Sequence, residues 1–127
     1  MGTRYATALA VSFTLAAVAS GCGGGDSPSS PSADQPTVTI SANGVSPTQV
    51  HIPVGGRVNF LNNDIRPHAM SSDPITTHTD CPAINDVGTL TPGQNRSTGK
   101  LDVARTCGFH DHTDESNTAF KGSIVIQ

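Results

Sequence analysis

Residues 106–112, Thr-Cys-Gly-Phe-His-Asp-His, contain the Cys107-x-x-His110 spacing on which the prediction of the fold rests. A thiolate and an imidazole are both good ligands for a transition metal, and this spacing predicts that they meet on one tight loop. Residues 60–68 place a second histidine, His68, just after an apolar strand, and residues 120–127 predict a closing strand. We interpret the rest of the chain as a scaffold that brings His68 next to Cys107 and His110.

Short segments of alternating polar and apolar residues recur through the chain and predict strands. Turn signals such as Asn-Gly at 43–44 and Pro-Gly at 92–93 separate them, and no segment shows sustained helical periodicity. Seven or eight short strands of this kind predict an all-β Greek-key sandwich or barrel. The segments are 37–41, 49–52, 57–61, 68–70, 86–90, 96–101, 103–107 and 119–127.

The order of these segments and of the motifs between them resembles the cupredoxins, the small blue-copper proteins. The resemblance covers residues 37–127 and implies a Greek-key β-sandwich of cupredoxin type. The motifs that carry it are Val-Ser-Pro at 45–47, Val-Gly-Gly at 54–56, Val-Asn-Phe at 58–60, Asn-Asn-Asp-x-x-Pro-His at 62–68, Leu-x-Pro-Gly at 90–93, Cys-x-x-His at 107–110 and Gly-x-Ile-x-Ile at 122–126.

The resemblance also implies a type 1-like copper site and the function that goes with it. Two imidazoles, from His68 and His110, and the thiolate of Cys107 would hold one copper ion that cycles between Cu(I) and Cu(II). We therefore expect a monomeric electron-transfer protein, not an enzyme, that acts with a redox protein partner in the cell envelope.

The axial position of the site departs from the family, in which a methionine usually lies a few residues past the second histidine. Counting back from the last strand gives Phe120 at this place, whereas counting forward from Cys107 gives Glu115. Met70 lies too early in the chain to fill it. The resemblance therefore implies either Phe120 as a non-ligand packed against the metal, or an axial ligand from His112 or Glu115.

The cysteines leave other arrangements open. An oxidising compartment favours a disulfide between Cys81 and Cys107, and such a protein would suit copper handling or resistance. In that case the copper site would be made of nitrogen ligands alone: His68, His78, His110 and His112. Two further alternatives are a site in which Cys81 is an additional ligand, and a metal-free, disulfide-linked sandwich that acts in adhesion or surface assembly.

One short segment resembles an enzyme family. Residues 108–112, Gly-Phe-His-Asp-His, match the Gly-Phe-His-x-His signature of the copper/zinc superoxide dismutases. That family needs several histidines and an aspartate well downstream of this segment. Only 15 residues follow His112, and none of them is histidine. We therefore rank this enzymatic function below copper binding alone.

The first 35 residues predict export and a membrane anchor. Residues 1–21 resemble a removable bacterial lipoprotein signal, because an apolar run too short to span a bilayer ends in Ala-Ser-Gly-Cys22. An ordinary secretory signal with a chance Cys22 is the alternative. Residues 22–35 predict a flexible Gly/Ser/Pro tether, and residues 36–127 the folded domain. We expect a periplasmic or otherwise extracytoplasmic lipoprotein that carries its lipid on Cys22.

The charge of the predicted mature chain limits its partners. Removal of Arg4 with the signal leaves six basic and ten acidic residues, a net charge of −4. No cluster of basic residues remains to contact phosphates. Nucleic acid is therefore not an expected partner.

Overall fold

A computed structural model of the protein describes residues 35–127. The predicted signal at residues 1–21, the lipidation site Cys22 and residues 22–34 of the tether lie outside the described residues. Between Gln35 and Gln127 no helix is long and apolar enough to cross a membrane.

The described residues form nine strands in two sheets, so the predicted all-β sandwich is confirmed. One sheet has the order β2-β1-β4-β7 and the other the order β3-β9-β8-β5-β6. The pairs β1–β4 and β3–β9 are parallel and the remaining pairs are antiparallel. The strands are β1 Thr37–Ser41, β2 Gly44–Ser46, β3 Gln49–Ile52, β4 Asn59–Asn62, β5 His68–Ser72, β6 Gly88–Leu90, β7 Asn95–Ser97, β8 Arg105–Asp111 and β9 Lys121–Ile126.

Several strand boundaries differ from the prediction, and two of these differences have a local reason. Gly44 was expected in a turn, but it begins β2 with a φ of 122°, and a Cβ at this position would strike the backbone of Ala119. The predicted strand at 86–90 is shortened to β6 because the preceding segment Pro82–Val87 winds into a 3₁₀ helix. Proline at the start of this helix has a φ already suited to it.

The core lies between the two sheets and is filled by apolar side chains from alternate strand positions. Val38 and Ile40 of β1 are fully buried, as the period of two predicts. Phe60 of β4 and Phe109 of β8 meet edge to face, with their ring centroids 5.1 Å apart. Gly122 in β9 leaves space for the Phe109 ring, which a Cβ at that position would strike.

Strand β8 contains nearly the whole of the Thr-Cys-Gly-Phe-His-Asp-His stretch, which corrects the prediction of a tight loop between Cys107 and His110. Its register with β9 pairs Cys107 with Ile124 and His110 with Lys121. Successive side chains of a strand point to opposite faces of the sheet, so residues three apart do not share a face. Cys107 therefore faces the core, and His110 faces the outer side of the sheet.

Candidate metal centre

Cys107 is joined to Cys81 by a disulfide, and their Cα atoms are 5.9 Å apart. The Cys107 side chain is fully buried in the core, and Cys81 is nearly so. Within residues 35–127, both cysteines are therefore bonded to each other, and neither offers a thiolate to a metal ion. The disulfide that the sequence left as an alternative is the arrangement in the structure.

His68 lies at the start of β5 with its ring between two carboxylates. Its Nδ1 is 2.6 Å from Asp111 Oδ2, and its Nε2 is 3.0 Å from Asp64 Oδ2. Ionised carboxylates only accept hydrogen bonds, so both contacts are satisfied together when both ring nitrogens carry hydrogen. Only 2% of the His68 side chain is exposed. In this arrangement both ring nitrogens of His68 are in contact with carboxylate oxygens.

Both carboxyls that contact His68 have lowered pKa values. Burial acts to raise the pKa of Asp111, but hydrogen bonds from His68 and from Thr113 and backbone N–H groups outweigh it. For Asp64 the hydrogen bond from His68 is the largest cause of the lowered pKa, and the charge of Arg66 adds to it against the effect of burial. The three side chains thus form one ion-paired unit in which the carboxylates are favoured in their charged form.

The structure does not bring the predicted ligands His68, Cys107 and His110 together. Asp111, which contacts His68, lies four residues from Cys107 in the same strand, a separation of about 13 Å. His110 faces the other side of this strand. Phe120 packs against the His68 ring, with 5.0 Å between the ring centroids, and not against a metal ligand set. In this structure the three predicted ligands therefore do not surround a common point, and their role as one copper site stays a prediction.

A different group of potential ligands lies at the outer face of the five-stranded sheet. Each residue of the group offers one ligand atom, and these atoms all lie within 4.8 Å of one another. Two of its histidines are two residues apart along β8 and its continuation, which places them on one face. A third histidine comes from the loop between β5 and the 3₁₀ helix. The group consists of His78, His110, His112 and Glu115.

Two histidines of this group use Nδ1 for a hydrogen bond to an oxygen: His110 Nδ1 lies 2.7 Å from Asp73 Oδ1, and His78 Nδ1 lies 3.0 Å from the Ser72 carbonyl oxygen. His112 Nδ1 lies 2.8 Å from Glu115 Oε1. Carbonyl and carboxylate oxygens accept, so in the neutral rings of His110 and His78 the hydrogen is on Nδ1 and Nε2 keeps its lone pair. Metal-binding histidines are oriented by outer hydrogen bonds of this kind.

His110 gives the most specific indication of a bound ion. Its side chain is fully buried, and its Nε2 has no hydrogen-bond partner in the structure. A buried polar atom left without a partner costs about 1–3 kcal/mol, so most such atoms in folded proteins have one. A metal ion at Nε2 would remove this deficit, and His78, His112 and Glu115 are placed to complete its coordination. The donor set therefore fits a metal ion.

The position of His110 depends on the loop that covers it. Asp73 begins this loop, and its backbone N–H donates to the Gly108 carbonyl of β8 at 3.0 Å. A Cβ on Gly108 would collide with the Asp73 carboxylate, so glycine here lets that carboxylate reach His110. His78 has a φ of 54°, and its carbonyl accepts a hydrogen bond from Asn85 Nδ2 at 2.9 Å. The loop is thus tied to β8 at its start and to the 3₁₀ helix at its histidine.

Comparisons with known proteins identify the fold. No family model and no curated protein matches the chain. A purple cupredoxin from Nitrosopumilus maritimus superimposes with a TM-score of 0.54 at 18% identity, over 73% of this chain and 100% of that one. Amicyanin from Paracoccus versutus gives a TM-score of 0.61 at 16% identity, over 76% and 85% of the two chains. The chain has a cupredoxin fold. A reduced amicyanin variant also matches, with a TM-score of 0.59, 17% identity and coverage of 80% and 95%.

Within this cupredoxin fold, the group of potential ligands overlaps in part with the ligand sets predicted from the sequence. The predicted all-histidine set contained His78, His110 and His112, which the structure brings together, and His68, which it does not. Glu115 was predicted as an axial ligand and lies in the group. The role of Asp73 was missed, because its contact with His110 joins residues 37 positions apart. The spacing of His110 and His112 on one strand was the signal that marked a common face.

The ion-paired unit around His68 predicts how stability depends on pH. The lowered pKa of Asp64 means that its contribution to stability is present above its ordinary value of 3.8 and is lost as pH falls through the lowered value. Asp64→Asn should therefore unfold at a lower urea midpoint than the wild type at about pH 7. The difference between the two midpoints should become smaller at about pH 3. Asp102→Asn, at an exposed position, serves as the control. An equal difference between the urea midpoints of Asp64→Asn and the wild type at both pH values would contradict the role given to Asp64.

Proposed function

We propose that this protein binds copper in the cell envelope and that His78, His110 and His112 hold the ion, with Glu115 beside them. Imidazole suits copper, and Cu(II) has the highest affinity of the first-row divalent ions for nitrogen and oxygen ligands. The observation that carries the proposal is the buried Nε2 of His110, which has no partner and belongs to a group of four potential ligands.

The ligand set favours copper handling over electron transfer. It contains no thiolate and no thioether, which are the soft ligands that select Cu(I). His110 is buried, whereas the side chains of His112 and Glu115 are 53% and 37% exposed. An ion in this group would thus have one deeply anchored ligand and two ligands that solvent or an incoming chelator can displace. Such a site suits uptake and release of Cu(II) as cargo.

The fold and the sequence support copper and the envelope as its setting. The matched structures are cupredoxins, and one amicyanin among them is described as a Cu(I) form. A Cys81–Cys107 disulfide suits an oxidising compartment. The lipoprotein-like pattern at residues 1–22 supports export and a lipid on Cys22, and residues 22–35 would tether the domain to the membrane. In this setting the partner would be a protein that delivers or accepts copper.

Electron transfer at a thiolate–copper centre is the second candidate function. The order of the sequence motifs favours it, since Asn-Asn-Asp-x-x-Pro-His68 precedes Cys107-x-x-His110 as in the cupredoxins. It would require the disulfide to be reduced and His68 to leave Asp64 and Asp111. A redox protein partner and a Cu(I)/Cu(II) cycle belong to this candidate. The state of Cys107 in the copper-loaded protein separates it from the first.

The copper site predicts the effect of removing its buried histidine. We expect the oxidised protein to bind one equivalent of Cu(II) against a competing chelator. His110→Ala should weaken binding by more than the about 10- to 100-fold seen when only an outer partner of a ligand is lost. The matched control is His51→Ala, because His51 is an exposed histidine on β3 and lies outside the group.

Two outcomes of this titration would overturn the proposal. If the wild type binds no copper, or if His51→Ala and His110→Ala weaken binding equally, then the group does not hold the ion. The same titration with Zn(II) tests the cargo, since zinc also takes histidine and carboxylate ligands. Tighter binding of Zn(II) than of Cu(II) would assign the site to zinc.

The contact between Asp73 and His110 predicts a second effect on affinity. Asp73→Ala removes the carboxylate that holds the hydrogen on Nδ1, so copper affinity should fall about 10- to 100-fold. Gly108→Ala should act in the same direction, because its Cβ displaces that carboxylate. Asp80→Ala, in the same loop, is the control and should leave affinity within about twofold. Unchanged affinity in Asp73→Ala would show that His110 needs no orienting partner.

A further inference from the structure

The disulfide joins the two segments that supply the metal group. Cys81 follows His78 by three residues, and Cys107 precedes His110 by three residues. The other polar attachments of the loop from Asp73 to Cys81 are hydrogen bonds to the sheet, to the 3₁₀ helix or within the loop itself, and one exposed ion pair of 4.0 Å between Asp80 and Arg105 of β8. The disulfide is therefore the one covalent tie that holds the loop histidine against the strand histidines, within the part of the chain described.

One cysteine of the disulfide is more accessible than the other. Cys81 lines a cavity of about 220 Å³ whose walls include Leu101 and Ile126, and whose rim includes Val103, which is 65% exposed. Cys107 is fully buried and does not line this cavity. An incoming thiolate would therefore reach the sulfur of Cys81 from the cavity.

We infer that the Cys81–Cys107 disulfide is a thiol-exchange site for a dithiol reductant, and that its reduction opens the metal group; this inference rests on the proposed function. A thiolate of the reductant attacks Cys81 Sγ, the Cys81–Cys107 bond breaks and its electron pair leaves on Cys107 as a thiolate. The second thiol of the reductant then attacks the mixed disulfide and releases Cys81 as a thiolate. The reductant leaves as a disulfide, two electrons pass to the protein and both cysteines take up protons.

Reduction would act on copper through His78. The loop gains conformational freedom when the covalent tie is removed, and ordering it again opposes binding. His78 has a left-handed backbone conformation, which is rare for a residue with a side chain, so it depends on its surroundings to stay in place. Without the disulfide, the ion would keep His110 of β8 and His112 just after it, and it would lose His78 of the loop. Copper would thus be released when the disulfide is reduced.

The experiment compares Cu(II) affinity in the oxidised wild type and in Cys81→Ser/Cys107→Ser, which has no disulfide and no thiol at these positions. We expect affinity in this variant to fall at least about tenfold while its circular dichroism remains that of a β-sandwich. His78→Ala, made with the disulfide intact, should show a similar loss. The variant that combines all three substitutions should bind Cu(II) only slightly more weakly than His78→Ala, because the disulfide acts through His78.

The outcomes separate this inference from the proposed function. If Cys81→Ser/Cys107→Ser binds as tightly as the wild type while His78→Ala and His110→Ala bind weakly, the metal site stands and the redox control falls. If the oxidised wild type binds no copper, the proposed function itself falls. The inference is also overturned if the loss of Cu(II) affinity in the cysteine variant adds fully to the loss in His78→Ala. The two effects would then be independent.

A measurement on the wild type covers the case in which the cysteine variant does not fold. The oxidised protein is loaded with Zn(II), which thiols and phosphines do not reduce, and a phosphine reductant is added with a chromogenic zinc chelator. We expect zinc release to follow the appearance of free thiols while the circular dichroism is retained. Appearance of thiols with zinc retained on the protein, or loss of the β-sheet signal together with zinc, would overturn the inference.

Trapping tests which sulfur is attacked. The oxidised wild type is treated briefly with glutathione, the reaction is quenched with acid and the adducts are located by peptide mapping. We expect glutathione on Cys81, because Cys81 lines the cavity and Cys107 does not. Equal labelling of both cysteines, or labelling of Cys107 alone, would overturn the assignment of Cys81 as the point of attack.

Discussion

In β8 the side chains of Cys107, Phe109 and Asp111 point into the sandwich, and that of His110 points away from it, on the face where Gly108 has no side chain. This alternation follows from the pleat of an extended strand, and the register with β5 and β9 fixes it. A shift of one residue would exchange the two faces and expose Phe109. The inner face therefore carries the disulfide and the contact with His68, whereas the outer face carries the group of potential ligands. The two sets of polar residues are separated by the strand itself.

The outer face needs a cover, because a buried imidazole there requires partners that a bare sheet does not supply. The loop that starts at Asp73 provides this cover and contributes His78 to the group. Asp73 satisfies one nitrogen of His110, and Gly108 gives the carboxylate room to do so. The second nitrogen of His110 is left without a protein partner. His110 thus has its orienting contact at Nδ1, and its buried Nε2 is unsatisfied. This is the arrangement expected for a histidine that binds a metal.

The strands and the sandwich could be predicted from the sequence, because alternation of apolar residues is a local property. The predicted alternation at 37–41 and 49–52 coincides with β1 and β3. The tight loop expected between Cys107 and His110 was wrong, because the motif was interpreted without a register. Cys-x-x-His predicts a shared loop only if the strand ends at the cysteine, and β8 continues to Asp111. Two other features depend on tertiary contacts that no local pattern contains. They are the hydrogen bonds between His68 and the carboxylates of Asp64 and Asp111, and the position of His78 close to His110.

The most direct test of the account is the spectrum of the oxidised protein loaded with one equivalent of Cu(II), recorded by visible absorption and electron paramagnetic resonance together with Cys107→Ser. The account predicts a pale complex with weak absorption and with nitrogen couplings from imidazoles. These signals should be absent in His110→Ala, and the wild type should show no intense charge-transfer band for Cys107→Ser to remove. An intense charge-transfer band in the wild type that disappears in Cys107→Ser would contradict the account and assign the copper to a thiolate site.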